Sequence, residues 1–295
     1  MKIIFSRKGF DSSNGGSPSP ILEDGTIVSL PIPELNCDGK YSIRYKDLKP
    51  HDVDLENLID DLAVKTSKGK VRSKNYAHFD PDICENAYSP RITGWRGLFG
   101  QCHAAQGHLR NQGVGIGDLF LFYGLYQRVR KVNEKYFYDK SARPIHLIWG
   151  WMQIGDIVDV AKEQSGKQPK YPWAKYHPHY HFQNQRVNNT LYVASETLNI
   201  EALGGNKIKG YGVFEHYREE LQLTDPDKDK TSYWRLPAWM YRENKESCPL
   251  TYNAKREWKL ENGYARLKSF TIGQEYVYSG RISQEALKWL RGLLS

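Results

Sequence analysis

"GDLFLFYGLYQRVRKV" (117–132) and "RPIHLIWGWMQIGDIVDV" (143–160) decide how this chain folds. Both are apolar, aromatic and β-branched over many positions and are punctuated by glycine, the pattern of long curved strands and not of helices. Gly124, Gly150 and Gly155 fall inside them, where a missing side chain permits the bulges and sharp bends of a small barrel. The expected fold class is α+β: a mixed sheet with a small barrel-like β core at about 115–160 and peripheral helices.

Working outward, "MKIIFSR" (1–7) reads as a short buried strand, and "ILEDGTIVSLPIP" (21–33) as two extended arms around a turn at Glu23–Thr26. In "DVDLENLIDDLAVKT" (52–66), Leu55, Leu58, Ile59 and Leu62 recur at helical spacing, with Asp52 or Asp54 placed to cap. A second helix is expected over "RGLFGQCHAAQGHLRNQ" (96–112), with Leu98, Cys102, Ala105 and Leu109 on one side, weakened by Gly100 and Gly107. Strands are expected at "TLYVA" (190–194) and "QEYVYSG" (274–280), and a helix capped by Ser283 closes the reading. One compact domain over 1–295 is expected, with 162–190 as a basic, aromatic, linker-like segment.

With 42 Lys and Arg against 34 Asp and Glu, the chain carries +8, a balance that favours polyanionic partners. Aromatic residues make up 13%, many of them beside cations, so rings can stack bases while charges hold phosphates, or simply pack the interior. Four scattered cysteines with no C-x-x-C pair give neither a disulfide framework nor a thiolate zinc site. No run approaches 18 apolar residues and the first ten residues turn polar too soon for a signal peptide, so no membrane contact and a cytoplasmic location are expected.

Several clusters could carry chemistry. In "SRKGFDSSNGGSPSP" (6–20), Gly15 and Gly16 leave amides free to converge on an anion, with Arg7, Lys8 and Asp11 beside them; this is a phosphate cradle or a well-made turn cluster. No Walker or dinucleotide-binding glycine spacing accompanies it. "YAHFDPDIC" (76–84) sets His78, Asp80 and Asp82 at alternate positions, so an extended backbone would point an imidazole and two carboxylates one way, to move a proton or bind a metal. The same two-residue period puts His177, His179 and His181 in line as metal ligands, or as a polar loop. His103 and His108 lie about 140° apart on a helix and cannot share a ligand there. No nucleophile elbow or zinc-deaminase signature occurs.

Taken together, "SRKGFDSSNGGSPSPI", "SLPIP", "HFDPD", "LFGQ", "GDLFLFYG" and "HPH" resemble the nucleotide modification associated domain family, third type, over most of the chain. The resemblance implies a role in bacterial or bacteriophage DNA base modification, alongside other proteins of a modification operon. Its motif residues become candidates: Arg7, Lys8, Asp11, His78, Asp80, Asp82, Gln101 and His179, with His103 beside them. "GIGDLFLFYG" followed by "IHLIWGWMQIGDIV" is also similar to the small barrels of PUA, EVE and ASCH domains, some of which receive flipped modified bases. That likeness implies Tyr123, Tyr126, Trp149 and Trp151 as base-stacking rings, with Arg128, Arg130 and Lys131 near the backbone. The expected function is binding of a nucleotide or flipped base within a DNA base-modification system. Catalysis, reading of modified bases and a structural partner role all stay open, and no cofactor is identified.

Overall fold

The computed structural model describes residues 1–34, 42–66, 69–165, 170–181, 187–200, 203, 207–241, 250–270 and 275–294. The strands are β1 (Ile3–Arg7), β2 (Ser19–Ile21), β3 (Ile43–Arg44), β4 (Lys65–Thr66), β5 (Gly69–Lys70), β6 (Tyr76–Ala77), β7 (Leu98–Gln101) and β8 (Leu119–Val132). They continue with β9 (Lys135–Tyr138), β10 (Ile145–Asp159), β11 (Thr190–Ala194), β12 (Tyr211–Val213), β13 (Tyr233–Pro237), β14 (Trp258–Glu261), β15 (Tyr264–Lys268) and β16 (Glu275–Tyr278). The helices are α1 (Leu55–Leu62), α2 (His103–Asn111), α3 (Val160–Ser165), α4 (Pro178–His181) and α5 (Gln284–Leu294).

The two long strands expected from the opening segments form, and β8 and β10 pair antiparallel at the centre of the main sheet. Its strand order is β16-β1-β8-β10-β11-β7, with β2 and β9 on β8 and β12 on β10. β1 and β2 run parallel to β8, and the remaining pairings in this sheet are antiparallel. This is a mixed sheet, as the α+β reading requires. The barrel expected over 115–160 is corrected here: that segment supplies β8, β9 and β10, and among the described residues β16 and β7 end the order without pairing to each other.

The curvature arises as the glycines suggest. Register slips between Ile148 and Gly150, and again between Ile154 and Asp156. At Gly155 a Cβ would stand 2.7 Å from the Ser195 backbone, so only glycine lets the strands approach there. Bending brings the two ends of the sheet within side-chain reach: Gln101 Nε2 of β7 donates to Glu275 Oε1 of β16 at 2.5 Å. Lys8 Nζ lies 3.0 Å from the same oxygen and 4.6 Å from the Phe99 ring centre, which pairs most of the charge of this buried carboxylate.

α1 forms as read, buries Leu55, Leu58, Ile59 and Leu62, and is capped by Asp54, whose Oδ1 accepts from Glu56 N at 2.8 Å. α5 is capped by Ser283. The helix expected over 96–112 is corrected: Leu98–Gln101 is strand β7, paired with β11, and α2 starts at His103. Leu98 and Phe99 are both fully buried, in different clusters, which a one-faced helix cannot achieve and a strand covered on both faces can. Within the segment expected to be linker-like, Ala174 and Tyr180 pack against Leu98, Leu191 and Val193. No helix among the described residues is long and apolar enough to cross a membrane.

Candidate metal centre

Strand β7 organises the site. Asp82 forms a two-bond bridge to Leu98 (2.9 and 2.8 Å), which lays residues 80–82 along the free edge of β7. Asp80 Oδ1 then accepts the amide of Gly100 at 2.7 Å. α4 crosses the same edge, and the His179 ring lies on Gly100, where a Cβ would stand 2.1 Å from His179 Cγ. Gly100 is therefore a packing requirement of the site.

Two outer partners fix the imidazoles. His78 Nδ1 donates to Glu34 Oε2 at 2.6 Å. Asn189 Nδ2 donates to the His179 carbonyl at 2.6 Å, so Asn189 Oδ1 is the atom that faces His179 Nδ1, at 2.8 Å, and accepts its proton. In the neutral rings both Nε2 atoms are left as lone pairs, and both point at Asp80 Oδ2, from 3.8 Å (His78) and 3.7 Å (His179). Ligand atoms of the three residues lie within 4.8 Å of one another. Metal-bound histidines are oriented in this way, by a carboxylate or carbonyl on the far ring nitrogen. Two ligands of a tetrahedral zinc-type ion, each at about 2.0–2.1 Å, stand about 3.4 Å apart, so small side-chain shifts would seat a cation.

His177 has a different role. Its Nδ1 accepts the His179 amide at 3.3 Å, so its Nε2 carries the proton, and that atom lies 3.2 Å from Asp80 Oδ1, outside the alignment of a full hydrogen bond. With Gly100 N it holds Oδ1 and leaves Oδ2 to the two lone pairs. Burial by itself would raise the Asp80 carboxyl, but the contact from His177 and, wherever these rings are protonated, the positive charges of His179, His177 and His78 outweigh it and hold the group well below the usual carboxylate range. The side chains of Asp80 and His179 are 4% and 5% exposed and that of His78 is 12%, so the way in from solvent runs past His78.

The other sequence candidates divide. Asp82, alternate to Asp80, lies outside the cluster: it is fully buried and takes a two-pronged bond from Arg91 (2.7 and 2.8 Å) and a third from Tyr176 at 2.5 Å. Arg91 also stacks on Trp95, 3.9 Å from the ring centre, so Asp82 anchors a structural knot. His181 closes α4, and its side chain lies outside the described residues. His103 is exposed and opens α2 with a φ of 54°. Gln101 is occupied by Glu275.

In the loop at 6–20, the anion on which amides converge is the loop's own Asp11: Oδ1 accepts from Ser13 N and Asn14 N, each at 2.8 Å, and the Asp11 carbonyl accepts from Gly16 N. Gly15, at φ 83°, lies on the Phe10 ring, and Arg7 approaches Asp11 to 3.9 Å. Lys8 turns to Glu275. Of the ring candidates, Tyr123 and Tyr126 are buried in the main core, whereas Trp149 borders a cavity of about 40 Å³ shared with Phe79, Asp80 and Pro81. At about 10–15 Å³ per water that cavity takes a few waters and no base. Trp151 packs on Phe214 and lines an open groove with Lys207 and Lys209. Arg128 stacks over Tyr217, Lys131 pairs with Glu134, and Arg130 lies between them on β8. Burial pushes the Cys84 thiol up to about 11, which disarms it as a nucleophile at neutral pH.

The profile of the nucleotide modification associated domain 3 family matches residues 2–279. The chain belongs to this family. No curated protein and no solved structure matches it. The family's description ties its members to nucleotide modification, and every residue of the His–Asp cluster and its outer partners lies inside the matched span.

Residue spacing puts His78 and Asp80 in one group and His179 in another, the family resemblance names all three among its candidates, and neither points to Glu34, Asn189 or the role of Gly100. The separation of 44 positions between Glu34 and His78 leaves no local pattern to read. The H-x-D spacing joined to a later H-P-H was the available signal.

Proposed function

We propose that this protein is an enzyme of nucleotide modification whose centre is a divalent transition metal held by His78, Asp80 and His179. One observation carries the reading: two imidazole lone pairs, each fixed by an outer hydrogen bond, converge on one carboxylate oxygen in a nearly dry site. In the neutral tautomers such an arrangement repels itself, and a cation shared by the three atoms, a metal ion or a proton, relieves it. Two imidazoles and one carboxylate leave coordination positions open, and a metal so held would supply a Lewis acid or an activated water; the cavity at Asp80 takes only water, so a nucleotide or extruded base would meet the centre from the more exposed His78 side. The chain's own contribution is to orient: Glu34 and Asn189 set the rings, while His177 and Gly100 N set the carboxylate.

The test is metal stoichiometry. Chelator-stripped protein titrated by calorimetry with Zn(II), and with Mn(II) as a harder ion, should take up one equivalent. Asp80→Asn and His78→Gln should each weaken uptake at least tenfold while the fold, followed by circular dichroism, persists. Uptake that is absent, or unchanged in both variants, refutes the centre. Nucleoside mass spectrometry of DNA from cells with and without the protein and its neighbouring genes then reads the chemistry, and an unchanged profile speaks for a binding role.

A further inference from the structure

The second, three-stranded sheet has the order β13-β15-β14 and takes no part in the metal centre. Its inner face buries Trp234, Leu236, Ala265 and Leu267 against the main core. Its outer face, by strand alternation, presents Tyr233, Arg235, Lys259, Tyr264, Arg266 and Lys268.

Charges of one sign meet across all three strands: Arg235 opposes Arg266, which opposes Lys259. Like charges in direct register cost stability. The fold offsets part of this, with Glu219 on Arg235 at 2.7 Å and with Asp225 and Asp227 on Arg266 at 3.0 and 2.8 Å. Among the described residues Lys259 pairs with Glu257 alone, at 3.6 Å, an exposed pair of little worth. Beside this row runs an open groove of about 410 Å³, where Lys228, Lys255, Arg256, Lys259 and Lys268 outnumber the exposed carboxylates Glu257 and Glu261. Two rings complete the face: Lys268 lies over Tyr233 (5.9 Å) and Arg235 over Tyr264 (4.7 Å), the latter 41% exposed. Four residue steps along β15, from Tyr264 to Lys268, separate the ends at which the rings sit, about 14 Å at about 3.4 Å per residue.

We infer that this sheet face is a docking surface for a single-stranded nucleic acid, with phosphates along the lysine groove and unpaired bases on Tyr233 and Tyr264. Cations tracking a backbone beside two spaced rings, Tyr264 exposed and Tyr233 half-buried, suit a strand whose bases are free to stack, and a duplex hides those base faces. The inference takes from the proposed function only that the substrate is a nucleotide, and adds that it arrives as part of a strand.

Fluorescence anisotropy of the full chain with a labelled 15-nucleotide mixed-sequence DNA strand, at NaCl from 50 to 300 mM, tests it. Lys259→Glu with Lys268→Glu should weaken binding at least tenfold and flatten the log–log salt slope by about 1.4, at about 0.7 per lost phosphate contact. Tyr264→Ala should weaken binding about fivefold or more. Both variants should keep wild-type metal uptake, so failure here and failure of the metal centre read separately. Equal binding by wild type and variants overturns the inference, as does no binding by wild type at 50 mM salt. Equal competition by the matching duplex overturns it too, and displacement by polyglutamate at equal charge would assign the face to an acidic protein instead.

Discussion

Replacing Gly100 by alanine inserts one methyl group between β7 and the histidine that lies on it. The new Cβ would stand 2.1 Å from His179 Cγ and 2.4 Å from its Cβ, against about 3.4 Å for ordinary contact. These atoms are the root of the side chain, so rotation about χ angles cannot clear the overlap, and α4 must move outward by about 1 Å. A shift of that size carries His179 Nε2 off any ion held by Asp80 and His78, since metal–ligand bonds tolerate about ±0.2 Å. Overpacking should cost about 1–3 kcal/mol of stability, a melting temperature lower by several degrees in a chain of this size. Metal titration by calorimetry beside thermal melts measures both. The expected result is a folded variant with metal affinity reduced about 10- to 100-fold, in the range seen when an outer partner of a ligand is lost. Unchanged affinity in the folded variant would refute the placement of His179 in the centre.

Two further outcomes follow from buried groups. Asp82→Asn leaves the Arg91 guanidinium without its countercharge and should destabilise the fold by about 3–5 kcal/mol in urea melts, while any protein that folds retains metal uptake. A loss of metal uptake with full stability would return Asp82 to the site. His146 accepts the Trp234 indole N–H at 2.9 Å, and burial, with a contribution from Arg7, pushes its pKa down to about 3. The unfolded chain binds this proton near pH 6.5 and the native chain does not, so the stabilisation is complete above pH 6.5 and is lost as pH falls from there toward 3. The slope from this residue should approach about 1.4 kcal/mol per pH unit, and His146→Gln should flatten it in urea melts at pH 7, 6, 5 and 4. An identical slope in the variant would show that other groups dominate.

What could be read from the sequence followed local periodicity. The two long strands, the helix at Leu55–Leu62, its Asp54 cap and the Ser283-capped terminal helix are written in spacings of two or of three and four residues. β7 was hidden because "LFGQ" is too short to show alternation and runs directly into a helix that does have a periodic face. Sheet closure was misjudged for another reason: glycines show where a strand can bend, whereas closure depends on which strands from other segments become neighbours. At the site, residue types were legible and partners were not. His78 and His179 are 101 positions apart, and the loop at 6–20 looked like a ligand cradle because the acceptor of its amides, Asp11, belongs to the loop itself.

β1 lies between β16 and β8, so the strand nearest the start of the chain pairs with one beginning at residue 275. During synthesis at about 5–20 residues per second, Ile3–Arg7 therefore waits roughly 15 to 55 seconds with one edge bare before Glu275–Tyr278 leaves the ribosome. Over that interval the apolar "IIF" is a free template for another chain, and Lys8 has not yet met Glu275. Holding the nascent chain apart from its neighbours until its last strand arrives is a task this topology hands to chaperones.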